Sequence, residues 1–347
     1  MKSAFLIGPK VIEVREAGEL GVPDDGLILE MGACGVCGSD LRRWQEGPPS
    51  GAASLVQGHE LAGTVVRTGT RQARFKVGDR LAVAPDIHCG VCYYCRRGWY
   101  NLCLNLKLLG ITPGLNGGFA EQVAISGEIL RHGIIHRMPD GLDFRAGALA
   151  ETLSSVLSAH AKCATSLGET VVVLGSGPVG CLHAVVARSR GARVIVAEPN
   201  PIRRQAAKKF APDALIDVST ADVVAEVIQL TNGVGADVVI CANPVASTQK
   251  QAVEMSRRGG RIVLFGGLPK ANPCTQLDSN LIHYGERVVM GAFSYHPQYH
   301  EEALQLLARK KVQAQLFVTH VRSLAKVAEA FEIASSGAAL KVMVEPN

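Results

Sequence analysis

Residues 170–180 read Thr-Val-Val-Val-Leu-Gly-Ser-Gly-Pro-Val-Gly, an apolar β-branched run that breaks into three glycines and continues as helical sequence. A continuous apolar strand is buried on both faces, and a glycine-punctuated turn from strand into helix admits few architectures. In Gly175-x-Gly177-x-x-Gly180 the first glycine permits the tight turn and the second lets a pyrophosphate approach the backbone. The third lets helix and strand pack closely. Pro178 and Val179 open the helix, whose free N–H groups favour phosphate. The rhythm continues through 193–198 (RVIVAE), a helical PIRRQAAKKF, ADVVICA, a helical ASTQKQAVEMSRR and RIVLFGG. Strands alternating with helices predict an α/β domain built on a parallel sheet buried on both faces.

Glu198 ends the second strand at the distance where an acidic side chain takes the ribose hydroxyls of NAD, which predicts NAD(H) as the cofactor. Arg203 and Arg204 lie close enough for one of them, Arg203 foremost, to meet a 2′-phosphate instead, so the strictness of NAD over NADP stays open.

Before this segment the chain is rich in glycine, valine and short apolar runs, as in GHELAGTVVRTG and VGDRLAVAP, and reads as a mostly β domain. The expected division is residues 1–152, a cofactor domain over 153–290, and a return of 291–347 to the first domain. Within the first domain, Cys89, Cys92, Cys95 and Cys103 form C-x2-C-x2-C-x7-C in a lobe of about residues 86–110. Four thiolates so spaced suit a closed tetrahedral structural zinc, which holds a lobe together and does no chemistry.

Cys37, His59, Glu60 and Glu151 offer one sulfur, one nitrogen and two carboxylates from separate parts of that domain. Such a mixed set suits a second zinc that keeps a position open for water or substrate. Alone, each has a plain structural reading; beside the cysteine lobe and the glycine loop they form a pattern. The remaining cysteines, Cys34, Cys163, Cys181, Cys241 and Cys274, read as packing residues. His160 and His183 read as structural hydrogen-bonding residues. Trp44 and Gln45 read as a polar and aromatic wall near the substrate.

GVCGSD, GHE-x-x-G, the VGDR turn, the four-cysteine lobe, GSGPVG and the closing LKVMVEP together resemble the zinc-containing medium-chain dehydrogenases over nearly the full length. Within that family the chain is more similar to the sorbitol and threonine dehydrogenase branch than to the liver-type enzymes. The resemblance implies a GroES-like catalytic domain, a Rossmann domain, and hydride transfer between NAD(H) and a secondary alcohol or polyol, or its ketone. Cys37 and His59 match the invariant zinc ligands. Glu60 and Glu151 match two acids that bind the ion or its water, without deciding which binds at rest. Ser39 matches the hydroxyl that passes on the substrate proton, and Lys341 a basic residue that approaches the cofactor pyrophosphate.

Two positions depart from the family. Arg42 stands where a relay histidine is common; it stays protonated and cannot act as a base, but it can anchor the cofactor or an acidic group on the substrate. Thr152 replaces the proline that commonly follows Glu151.

A net charge of +5 without a clustered basic block speaks against nucleic acid as a partner. The opening MKSAFLIG is followed too soon by charge for a signal or membrane segment, so a cytoplasmic, reducing setting is expected. The resemblance implies a homotetramer or homodimer. Two rival readings keep part of the pattern: an NADPH-dependent enone or quinone reductase of the same fold, and a non-enzymatic zinc-binding protein. Neither uses the complete Cys, His and Glu set.

Overall fold

The computed structural model describes residues 1–346, which form two compact units. One comprises Met1–Ser154 and the stretch from Ser294 onward; the other is Ser155–Phe293.

The second unit is built on six parallel strands. Their order across the sheet is Ala214–Ile216, Arg193–Ala197, Thr170–Leu174, Ala236–Cys241, Ser256–Leu264 and Val288–Gly291. The first strand in sequence therefore lies third, and the strand order reverses beside it, where such sheets bind ligands. Alternation along each strand divides the core between two faces. Val172, Leu174, Ile195, Val239 and Ile262 pack on one. Val171, Val173, Val194, Val196, Val238, Ile240 and Val263 pack on the other. Each such side chain contributes about 1.5–3 kcal/mol by burial, which is why these strands read as unbroken apolar runs. The helix expected to run through Arg258 ends at Met255, and Ser256 starts the next strand. The positive-φ Gly259 and a register shift against Ala236–Cys241 accommodate Arg257–Gly260 in extended backbone.

The first unit is mainly antiparallel β. Strand Leu27–Gly35 pairs with Glu60–Thr68, with Gln122–Ile125 and with Lys341–Glu345. Its central position fixes the site, because three strand ends meet there. Gly35 lies opposite Glu60, and Met343 opposite Gly35. The residues just beyond Gly35, before Glu60 and at the start of the last strand thus converge by register alone. Trp44 belongs to this unit's core, 7% exposed and packed on Phe331 at 5.7 Å between ring centres. It does not form the cleft wall expected from sequence, since its apolar ring faces inward from helix Gly38–Glu46. Among the described residues, no helix is long and apolar enough to cross a membrane.

Candidate active site and zinc lobe

Cys37 is the N-cap of helix Gly38–Glu46, two residues past the central strand. Asp40, at the third helical position, accepts the Cys37 backbone N–H at 3.0 Å and fixes the entry of the chain. Its other oxygen lies 3.3 Å from His59 Nδ1, at ion-pair distance but off the line of a good hydrogen bond. A carboxylate behind a histidine sets which ring nitrogen is offered to a metal. His59 Nε2 in turn lies 3.3 Å from Ser39 Oγ. Cys37, His59 and Glu60 bring one sulfur, one nitrogen and one oxygen within 4.8 Å of one another. Such a spacing and mixture fit a divalent ion of zinc type.

Glu60 is fully buried, and its partner is Lys341, whose Nζ donates to both carboxylate oxygens at 2.7 and 2.8 Å. Thr152 Oγ1 donates to Glu60 Oε1 at 2.8 Å. Burial opposes ionisation of Glu60, but the charges of Lys341 and His59 hold its carboxyl below the usual range. Lys341 is 2% exposed. The structure therefore gives it a partner other than the pyrophosphate that the resemblance implies, because its ammonium neutralises a buried carboxylate.

Glu151 stands outside the three-atom cluster, one residue before Thr152 on helix Phe144–Lys162. It accepts from Tyr295 Oη at 3.1 Å, and burial with the nearby Glu60 charge pushes its carboxyl up to about 7. Asp86, bound by Ser294 Oγ at 2.7 Å, is pushed up to about 6 by burial. Arg42 is exposed on the same helix as Ser39. Sequence reasoning passed over Asp40, Asp86, Ser294 and Tyr295. Asp40 carried a local signal, an acid three residues after the N-cap within GVCGSD. The other three are joined only by tertiary contacts far apart in sequence.

In the cysteine lobe the Sγ atoms of Cys89 and Cys95, and of Cys92 and Cys103, are 4.0 Å apart, and those of Cys92 and Cys95 are 3.5 Å apart. Four thiolates about 2.3 Å from one zinc stand about 3.8 Å apart, so the set fits that ion. All four are free thiols. Val91, Tyr93, Trp99, Leu102 and Leu104 are 45–72% exposed, so the lobe has little apolar core and depends on its cross-link.

In the second unit, Gly175 has φ +106°, and a side chain at Gly180 would overlap the Gly175 carbonyl. Nothing of the protein stands where a side chain at Gly177 would project. Helix Pro178–Ser189 begins at Gly177 without a side-chain cap, leaving its first N–H groups for a phosphate. These features fit a dinucleotide. Glu198 is 3% exposed; Oε2 accepts from Ser176 N at 2.7 Å and Oε1 from Asn200 N at 2.9 Å. It braces the turn from both sides as well as placing negative charge beside it. Arg204 pairs with Asp217, whereas Arg203 Nε is buried and has no hydrogen-bond acceptor among the described residues. Of the remaining cysteines, Cys34, Cys163, Cys181 and Cys241 are buried; Cys274 is exposed and is not a packing residue. His160 and His183 are buried 3.2 Å apart, as structural partners.

The profile of the alcohol dehydrogenase GroES-like domain matches residues 23–137, and that of zinc-binding dehydrogenases matches residues 178–309. A sorbitol dehydrogenase of Halalkalibacterium halodurans is 37% identical over 90% of this chain and 89% of its own length. One from Bacillus subtilis is 33% identical over 100% and 98%. Among solved structures, 2R,3R-butanediol dehydrogenase from Bacillus subtilis superposes with a TM-score of 0.89 at 28% identity, covering 100% of this chain and 99% of its own.

Proposed function

Since the chain belongs to the zinc-containing medium-chain alcohol and polyol dehydrogenases, we propose that it transfers a hydride between NAD(H) and a secondary alcohol of a polyol or sugar derivative. The observation that carries this reading is the Cys37, His59 and Glu60 cluster within 4.8 Å, with the Ser39 hydroxyl 3.3 Å from His59. The rival readings lack support here, because a quinone reductase or a purely structural zinc protein has no use for this second donor set.

Cys37 and His59 would hold the catalytic zinc, with a carboxylate from Glu60 or Glu151 on its open side, and Cys89, Cys92, Cys95 and Cys103 the structural one. A zinc ion in the first site supplies Lewis acidity that brings the pKa of a substrate hydroxyl towards neutrality. Ser39, on the first turn of the helix that Cys37 caps, accepts the hydroxyl proton while releasing its own to water, as the hydride passes to the nicotinamide of NAD. Asp40 and His59 keep their orientation through burial, so the donors need no rearrangement when substrate arrives. Gly175, Gly177, Pro178, Val179 and Gly180 cradle the cofactor pyrophosphate. Glu198 disfavours a 2′-phosphate, and Arg203 borders the same ribose pocket. Arg42, exposed beside this set, anchors an anionic group on cofactor or substrate. Site, cytoplasmic location and assembly as a homodimer or homotetramer belong to this reading; the exposed Val288 and Phe293 at the sheet edge give self-association an apolar surface.

A screen of polyols and secondary alcohols with NAD tests it. NADH formation with at least one C4–C6 polyol or vicinal diol is expected, at higher kcat/KM than simple primary alcohols. Turnover confined to activated double bonds with NADPH would refute it.

A further inference from the structure

Asp86 is a buried acid outside the metal-donor cluster. It stands on strand Arg80–Ile87, which pairs with Glu60–Thr68 so that Val83 lies opposite Leu61 and Ala82 opposite Ala62. Carried on, that antiparallel register sets Ala84 level with Glu60 and Pro85 level with His59, so Asp86 comes to the same end of the sheet as the cluster. Side chains alternate along the strand. Val83 and Ile87 enter the core on one face. Ala84 packs against Tyr295 on the other, and Asp86, two residues on, shares that face and receives the Ser294 hydroxyl. On this face Tyr295 also reaches Glu151. Asp86 lies within the electrostatic reach of His59, and Glu151 within that of Asp86.

The hydrogen bonding of Asp86 is incomplete. A carboxylate offers about four acceptor positions. Among the described residues Ser294 is the one side chain that donates to Asp86, and it does so at Oδ1 alone. At 6% exposure, bulk water does not freely fill the remaining positions. Such an acid costs the fold free energy until another donor arrives. Ser294 has φ +51°, a left-handed conformation uncommon outside glycine, so the backbone accepts strain where it brings that hydroxyl to Asp86. The groups on this face narrow the choice of donor. Ser294, Tyr295 and Glu151 add hydroxyls and a carboxyl to it, and the ammonium of Lys341 is already held by Glu60. A few placed polar groups of this kind orient a hydroxylated ligand.

We propose that Asp86 is a specificity-determining residue: with Ser294 holding Oδ1, Oδ2 accepts a hydrogen bond from the hydroxyl on the carbon next to the one oxidised, which selects vicinal diols and polyols over simple secondary alcohols. Ser294 is the positioning residue that sets the carboxylate's orientation. The inference rests on the reading of Cys37 and His59 as ligands of the ion that takes the reacting oxygen. A site built to bind a hydroxyl rejects the analogue that lacks it, because its acceptor is then left buried and unpaired.

The test is kcat/KM of the full-length protein and its Asp86→Ala, Asp86→Asn and Ser294→Ala variants for butane-2,3-diol and butan-2-ol with NAD. The ratio of the two values is read for each protein. It cancels the fraction of chain that is folded and loaded with zinc, which is all that a merely structural role would change. The unmodified protein should favour the diol. Asp86→Ala should lower that ratio about tenfold or more, the weight of one hydrogen bond to a charged group. Asp86→Asn keeps the volume and a neutral acceptor, and Ser294→Ala keeps the carboxylate but frees it, so each should lower the ratio by about threefold. These two variants carry the test if Asp86→Ala fails to fold. An unmodified protein that does not favour the diol, or Asp86 variants that keep its ratio, would overturn the role of Asp86. A protein that oxidises no polyol, diol or secondary alcohol with NAD would overturn the reading of the site, and the inference with it.

Discussion

Replacing Lys341 by Met removes the ammonium that is hydrogen-bonded to both oxygens of the buried Glu60. Glu60 is 0% exposed and Lys341 2%, and two of the three hydrogen bonds to the carboxylate come from this lysine. Removing one partner of a buried pair leaves an uncompensated charge and costs about 3–5 kcal/mol. For a unit of this size the melting midpoint falls by on the order of 10 °C. The cost depends on pH in a definite direction. In the parent protein Glu60 ionises below its usual range, so the pair's stabilisation is present above the unfolded carboxyl value of about 4.3 and is lost only as pH falls through the folded value. In Lys341→Met burial raises the Glu60 pKa, so the penalty grows as pH climbs from about 4.3 towards the raised value. The stability gap between variant and parent should therefore be widest near pH 8 and narrow towards pH 5. Thermal denaturation with saturating zinc at several pH values measures it. Lys341→Met/Glu60→Gln should recover most of the loss, since it removes the buried charge. A gap independent of pH, or a double variant no better than the single one, would refute the idea that the lysine acts by neutralising Glu60.

Three further outcomes are expected. Cys92→Ser should remove one zinc, expose the lobe around residues 89–103 to proteolysis and lower the melting midpoint by several degrees; wild-type zinc content and protease resistance would exclude the cross-link. Glu198→Ala should narrow the preference for NAD over NADP and also raise KM for both about tenfold, because Ser176 N and Asn200 N lose their acceptor; unchanged kinetics with both cofactors would remove Glu198 from the pocket. His160 and His300 are held down to about 3, and His183 well below its usual value, mainly by burial, so the fold keeps all three neutral. Neither state carries the charge above pH 6.5. Below it the unfolded chain takes up protons that the fold refuses, at up to about 1.4 kcal/mol per pH unit for each histidine. Glu151 and Asp86, with raised carboxyls, pull stability the opposite way as pH falls, so the comparison is between the parent and His300→Gln. Between pH 6.5 and 5.5 the urea midpoint of the variant should drop less than that of the parent, and equal drops would count against a neutral His300.

What could be read from the sequence was local or periodic. The Rossmann strands announced themselves because both faces are buried, and the cysteine lobe because its donors lie within fifteen positions. Register was harder to see. Gly35 opposite Glu60 and Met343 opposite Gly35 bring Lys341 to Glu60 across 281 residues, and no window of sequence contains that pairing. The same holds for Tyr295 with Glu151 and Ser294 with Asp86. Trp44 was misplaced because a lone aromatic beside arginines looks exposed in sequence, whereas the helix turns its ring onto Phe331. Glu198 showed its charge but not its hydrogen bonds, since a strand-end acid can brace its own turn as readily as face a ribose.

Metal content and turnover of Cys37→Ser test the catalytic site most directly. The unmodified protein should bind two zinc ions per chain, one at each donor cluster, and reduce NAD with a polyol. Cys37→Ser should keep the four-cysteine zinc and a melting midpoint close to that of the parent, lose the other ion, and lose turnover by at least about a thousandfold, a barrier increase of roughly 4 kcal/mol. A Cys37→Ser protein that held both zinc ions and turned over polyol at the parent rate would contradict the assignment of the catalytic site.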